Sequence, residues 1–287
     1  MKWDCHIHAV LDGENWRAAL LRHRAAPDEG YLRDMLCRYR QAGFSYLRDG
    51  GDRWGVGLRA RELAGQYGIE YRTPLVPLHR RGCYGGMIGE GYENLGQFAE
   101  LVQRQKALGC DFIKIMISGL MDFDHYGALT EPSLPPQEIG QLISIVHAKG
   151  LRVMAHANGA DAVTAAARAG VDSVEHGAYL DEQALAAMAE AGTVWVPTVS
   201  AVGNLLGRGR FDDRALGKIL DSVLENCDRF AAMGGRIAPG SDAGAWAVPH
   251  GGDTEAQWLR RALGDRADAV MERGAGQIRE IFRPEQV

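Results

Sequence analysis

The residues in this chain with the most chemical content are histidines, a lysine and an aspartate at the ends of strand-like segments. The first segment reads Asp4-Cys5-His6-Ile7-His8. A strand alternates its side chains between two faces, so His6 and His8 share one face while Cys5 and Ile7 turn to the opposite layer. Two imidazoles converging on one point suit a metal ion, although two polar residues at a strand end give the same pattern. In Phe112-Ile113-Lys114-Ile115-Met116-Ile117 one lysine stands among apolar residues. With Ile113, Ile115 and Ile117 facing helices, Lys114 points inward. Desolvation penalises its ammonium, so its pKa falls and a neutral amine becomes available for chemistry or modification. The alternative is a lysine snorkelling to the strand end. Val153-Met154-Ala155-His156-Ala157-Asn158-Gly159 and Ser173-Val174-Glu175-His176-Gly177 each offer a histidine at a strand's C-terminal end. Either one alone also fits a hydrogen-bonded core histidine. Asp242, in Gly240-Ser241-Asp242-Ala243-Gly244, is a ligand or general base, or else an Asx turn.

The elements that position these groups decide between the readings. Short runs rich in Val, Ile, Phe and Tyr lie near residues 2–8, 44–49, 70–76, 112–117, 151–157, 172–177, 193–199 and 236–242, alternating with segments of helical period. That alternation predicts repeated βα units and an α/β fold, a single-domain (β/α)8 TIM-type barrel over residues 1–287. Helices are expected over Asp28–Ala42, Leu95–Leu108 and Pro136–Ala148, and from the N-cap Asp181 to Ala191, with Gly150 and Gly192 as stops. The six candidate ligands fall on or at the ends of strands one, four, five, six and eight. In a parallel barrel those ends meet at one mouth, where barrel enzymes do their chemistry. The loops around His79–Glu90 and Gly119–Leu134 are rich in Gly, Pro and charge, and are expected to shape a substrate pocket.

Composition narrows the partners. The chain has 287 residues, 46% hydrophobic and 24% charged, enough to bury a large core. Its 32 basic against 37 acidic residues give a formal charge of −5, with no basic stripe for nucleic acid. A small-molecule substrate is expected. The five cysteines (Cys5, Cys37, Cys83, Cys110, Cys227) are odd in number and lack a Cys-x-x-Cys pair, against a disulfide framework or zinc finger. With no apolar leader and no stretch of about 18 apolar residues, the expectation is a cytoplasmic protein that does not enter a membrane.

Together these segments, with Tyr46-Leu47-Arg48-Asp49-Gly50-Gly51, resemble the amidohydrolase superfamily over nearly the whole chain, in its binuclear branch with a carboxylated lysine. The motifs are most similar to the imidazolonepropionase and Xaa-Pro dipeptidase-like members. The resemblance implies that His6, His8 and Asp242 bind the more buried metal, that His156 and His176 bind the more exposed one, and that Lys114, carbamylated by carbon dioxide, bridges both. Two divalent ions are implied, zinc first, with manganese, iron or cobalt compatible with the same donors. Two features depart from the group. The flanking β-sandwich is not legible, and neither is the usual threonine- and asparagine-containing helix entry after Trp258.

The implied reaction is amide hydrolysis, on a dipeptide, an N-acyl amino acid or a small cyclic amide. A metal-bridging hydroxide attacks the polarised carbonyl while Asp242 takes the proton and passes it to the leaving amine. Arg48, His79, Arg80, Arg81 and Tyr84 are candidates for binding a substrate carboxylate, or else form a solvated basic loop. Tyr179, His250, His125 and Tyr126 are candidates of the same standing, and His23 and His147 are read as surface residues. A lactonase or phosphoester hydrolase uses the same centre. A one-metal deaminase fits less well, because Ala157-Asn158-Gly159 lacks the glutamate expected after the strand-five histidine. A non-catalytic metal-binding barrel is the remaining class. A homo-oligomer is compatible with the resemblance, though no interface motif is legible.

Overall fold

The computed structural model describes residues 2–283, so Met1 and residues 284–287 of the expected single unit lie outside the described range. Ten strands are all paired in parallel. They are β1 (Lys2–Ile7), β2 (Phe44–Asp49), β3 (Glu70–Arg72), β4 (Leu78–Arg80), β5 (Glu90–Tyr92), β6 (Ile113–Met116), β7 (Val153–Ala157), β8 (Ser173–His176), β9 (Val194–Val196) and β10 (Arg236–Ile237). One sheet runs β1-β2-β3 and the other β10-β9-β8-β7-β6-β4-β5. Backbone hydrogen bonds link the two on both sides. Cys5 N donates to Pro239 O (2.8 Å), Asp242 N to His6 O (2.8 Å) and His8 N to Ala243 O (2.7 Å), while Asp111 N donates to Thr73 O (3.0 Å).

Helices fill the connections: α1 (Trp16–Arg22), α2 (Glu29–Gln41), α3 (Val56–Ala64), α4 (Leu95–Ala107), α5 (Pro136–His147), α6 (Ala160–Arg168), α7 (Glu182–Ala191), α8 (Ser200–Gly203), α9 (Asp213–Ala232), α10 (Thr254–Leu263) and α11 (Ala267–Ile281). Local chemistry sets their limits. Asp28 accepts from Tyr31 N and Asp181 from Ala184 N, each satisfying an orphan donor of the first turn. In α2 the buried residues Leu32, Met35, Leu36 and Tyr39 recur at helical spacing and form the face turned to the sheet. Among the described residues no helix is long and apolar enough to cross a membrane. All five cysteines are free thiols.

Two strand expectations are corrected. The third strand stops at Arg72 because Pro74 and Pro77 lack N–H donors and Leu75 adopts a left-handed φ of 63°. The chain then resumes pairing as β4, which lies between β5 and β6, so the expected loop at His79–Glu90 contains strand at both ends. The eighth strand is only two residues long in its regular part. Beyond Pro239 the segment carrying Asp242 is held by the hydrogen bonds to β1 rather than by a ladder.

Candidate active site

Four of the six ligand candidates converge tightly. His6 Nε2 lies 3.4 Å from His8 Nε2 and 3.2 Å from Lys114 Nζ. Asp242 Oδ1 lies 3.3 Å from His8 Nε2 and 3.5 Å from His6 Nε2. All four residues are buried. Glycine permits the approach: a Cβ at Gly50 would collide with the His8 ring and stand 2.8 Å from Lys114 Nζ, and one at Gly240 would strike His6.

These contacts fit a cation. Glu175 Oε2 sits 2.7 Å from His6 Nδ1, so that nitrogen carries the proton and His6 Nε2 presents a lone pair to the centre. Burial drives the His6 and His8 pKa values down, reinforced by the charge of Lys114, so both rings are neutral and ligand-ready. Burial also lowers Lys114 to about 8, against the carboxylates of Asp242, Glu175 and Asp49. The donor atoms of His6, His8 and Asp242 lie within 4.8 Å of one another, and buried His8 Nδ1 has no hydrogen-bond partner. Two neutral imidazoles and a carboxylate facing each other at these separations are a donor set that suits a divalent cation.

The other two histidines stand beside this group without closing around it. The His176 ring is 5.1 Å from that of His6 and 4.6 Å from that of His156. Thr198 Oγ1 meets His176 Nδ1 at 2.7 Å and leaves the other nitrogen for the pocket. His156 Nε2 contacts Gly119 O at 3.2 Å, so it must leave that carbonyl before it can act as a ligand through this nitrogen.

A buried network holds the first group in place. Arg48 Nη2 binds both oxygens of Glu175 (2.8 and 2.9 Å), Arg48 Nη1 binds Ser173 Oγ (2.9 Å) and Nε donates to Cys5 O (2.7 Å). Burial pushes the Glu175 carboxyl up, and Arg48 and the Ser173 hydroxyl counter that shift. Asp4 accepts from Ser241 N (2.8 Å) and Ser241 Oγ (2.6 Å), fixing the turn that presents Asp242. Asn158 donates to Gly119 O and accepts from Ala178 N, tying together the loops after β6, β7 and β8.

A cavity of about 480 Å³ opens onto His8, Lys114, His156, His176 and Asp242. Of the proposed substrate-binding residues, Tyr84 lines it, with its ring 4.7 Å from that of His156. The others are placed elsewhere. Arg48 is fully buried in the network above. His79 is buried against Gly85 and Gly91 with Nδ1 on Arg80 O, and Arg80 pairs with Glu138 at 2.7 Å. Arg81 pairs with Glu93, and His125 with Asp122. Tyr179 meets Tyr126 edge-on, outside the cavity lining. His250 is buried between Tyr39 OH (3.1 Å) and Leu11 O (2.9 Å). His23, read as a surface residue, is buried and accepts from Asp28 N. Sequence reasoning missed Trp16, Met87, Phe123, Arg210, Phe211 and Trp246 of the cavity wall. The Arg210-Phe211 pair ahead of α9 and Trp246 just after Asp242 were the signals for them. It also missed the role of Glu175, although that residue sits inside a quoted motif.

No family model matches the chain. It is 27% identical to an ochratoxinase of Aspergillus niger over 339 aligned positions, covering 99% of this chain and 68% of that protein. It is 35% identical to an uncharacterised protein of Mycobacterium tuberculosis over 102 positions, 36% of this chain and 26% of that one. Among solved structures, a Xaa-Pro dipeptidase with methionine bound in its active site superposes with a TM-score of 0.78 at 20% identity, covering 99% of this chain and 78% of that one. The A. niger ochratoxinase superposes at 0.76 and 19% identity, covering 99% and 71%. These structural neighbours are amidohydrolase-family proteins, and the chain shares their fold.

Proposed function

We propose that this chain is a metal-dependent hydrolase that cleaves amide bonds in small molecules, with its two sheets forming one (β/α)8 barrel around the cavity floor. The relatives support a hydrolase acting on amide bonds. The observation that carries the metal assignment is the meeting of two neutral imidazoles, the Asp242 carboxylate and the Lys114 amine around one point.

His6, His8 and Asp242 would hold one ion and His156 and His176 a second, with Lys114, once carbamylated, as a further oxygen donor. Divalent ions, when bound there, would supply a water whose pKa is lowered from about 15.7 to roughly 7 and a Lewis acid for a carbonyl. Zinc suits the donors best, and manganese, iron or cobalt accept the same set. Asp242 takes a proton from the attacking water and returns it to the leaving nitrogen. Burial keeps much more of Lys114 neutral than in free lysine, and only the neutral amine adds carbon dioxide. The Arg48–Glu175 pair keeps the proton of His6 on Nδ1.

The test is metal analysis of the purified protein together with a panel of dipeptides, N-acyl amino acids, cyclic amides, lactones and phosphoesters. Expected are two ions per chain and metal-dependent amide turnover, with loss of both in Lys114→Ala. Two ions and full turnover in Lys114→Ala, or a preference for lactones or phosphoesters over every amide, overturns the reading.

A further inference from the structure

Beyond the candidate ligands the cavity wall has an uneven chemistry. Its outer part is aromatic: the rings of Phe123 and Phe211 lie 5.1 Å apart, and Phe211 meets Trp246 edge-on at 6.2 Å. The guanidinium of Arg210 lies 4.6 Å from the centroid of Trp246 and 5.2 Å from that of Phe211. It is the one guanidinium among the cavity-lining residues. Among the described residues neither an ion pair nor a side-chain hydrogen bond engages it. Two carboxylates of the cavity lining accept hydrogen bonds from other groups. Asp122 accepts from Asp124 N, His125 N and His125 Nδ1, and Asp124 accepts from Asp212 N.

A guanidinium lying over aromatic rings loses rotamer freedom but keeps the N–H edge of its plane open. That edge matches the two oxygens of a carboxylate. The basic side chains of the sequence reading do not offer this, because Arg48 is fully buried and Arg80 is paired with Glu138. We infer that Arg210 is a specificity-determining residue that anchors a substrate carboxylate, and that the substrate is an amide whose bulky apolar or aromatic group packs on Phe123, Phe211 and Trp246. The inference rests on the amide-hydrolase reading of the same cavity.

The experiment compares N-benzoyl-phenylalanine with its C-terminal carboxamide on zinc-loaded wild type, Arg210→Met and Arg210→Lys. Binding is read by rapid-mixing tryptophan fluorescence ahead of turnover, and cleavage is read separately as benzoate release. Wild type is expected to bind the acid at least about tenfold more tightly than the carboxamide, the size of one charge-assisted contact. Arg210→Met should abolish that ratio by weakening the acid alone. Arg210→Lys should fall between, since an ammonium lacks the planar fork. A ratio that survives in Arg210→Met means that another group, the metal centre included, holds the carboxylate, and overturns the inference. So does an equal weakening of both ligands, which would make Arg210 a wall residue, or failure of both ligands to bind. The expected binding pattern without benzoate release upholds the Arg210 assignment and counts against the hydrolase reading.

Discussion

Replacing Glu175 should damage stability and metal affinity by separable routes. Arg48 and Glu175 are both fully buried, and Glu175 is met by Arg48, Ser173 Oγ at 2.6 Å and His6 Nδ1 at 2.7 Å. At 2.8 Å the gross attraction of the ion pair is about 6 kcal/mol at an effective dielectric of about 20, much of it cancelled by desolvation. Breaking the pair from one side leaves a buried charge unmatched. Glu175→Met and Arg48→Met should therefore each cost roughly 3–5 kcal/mol, a large share of the about 5–15 kcal/mol that holds a folded chain together. The double variant removes both charges for apolar volume and should return to within about 2 kcal/mol of wild type, far from the sum of the singles. Zinc affinity should behave differently. Both variants that lack Glu175 lose the acceptor that orients His6, so affinity should fall about 10–100-fold in each, and restored stability should not restore it. Urea denaturation of the metal-free proteins and zinc titration against a chromophoric chelator measure the two quantities. Additive stability losses, or zinc affinity recovered in the double variant, would refute the reasoning.

Two further outcomes follow from the same geometry. Gly50→Ala should fold, with a helical circular dichroism signal like wild type, yet bind zinc at least about tenfold more weakly, because its methyl meets the His8 ring and Lys114 Nζ; wild-type zinc binding would contradict this. Burial raises the Glu255 carboxyl from 4.5 to about 8, against the donors Ser200 and Val199. The native state thus keeps a proton that the unfolded chain releases. The associated stability is fully present below pH 4.5 and is lost as pH rises towards 8, by a few kcal/mol. Urea melts at pH 5 and 8.5 should show this loss in wild type but not in Glu255→Gln, and a wild type that gains stability relative to Glu255→Gln over that interval is the contrary result.

The ligand candidates were legible because each breaks a local pattern. Lys114 interrupts an isoleucine run, and His6 and His8 repeat at the period of a strand, so neighbouring residues alone mark them. The capped helices were legible for the same reason: Asp28 and Asp181 act on N–H groups three residues away. Arg48 shows where such reading stops. At a strand end it has the chemistry of a carboxylate anchor, and only tertiary structure reveals that its carboxylate is Glu175, 127 positions along the chain. His250 was open to misreading in the same way, since its partners Tyr39 and Leu11 lie 211 and 239 positions away. The aromatic wall escaped because Phe123, Phe211 and Trp246 come from three separate loops, and no sequence period links residues on different loops.

Backbone strain points to the same end of the sheets. Among the described residues, the non-glycine positions with positive φ are Leu75, His176, Tyr179, Thr198, Asp242 and Ala247; His176 ends β8, Leu75, Tyr179 and Thr198 follow β3, β8 and β9 within three residues, and Asp242 and Ala247 lie in the segment after β10. For a β-branched residue such as Thr198, at φ 48°, this conformation costs on the order of 1–3 kcal/mol and persists only where its surroundings over-determine it. Here they do: the Thr198 hydroxyl is committed to His176, itself at φ 67°, and Asp242, at φ 60°, is held through Ser241 by Asp4 and through its own N–H by His6. The parallel ladders below give the rigidity that the loops above use to hold donor atoms in an arrangement a relaxed turn would not adopt. The bonds that offset this strain are therefore those that aim His6, His176 and Asp242 into the cavity.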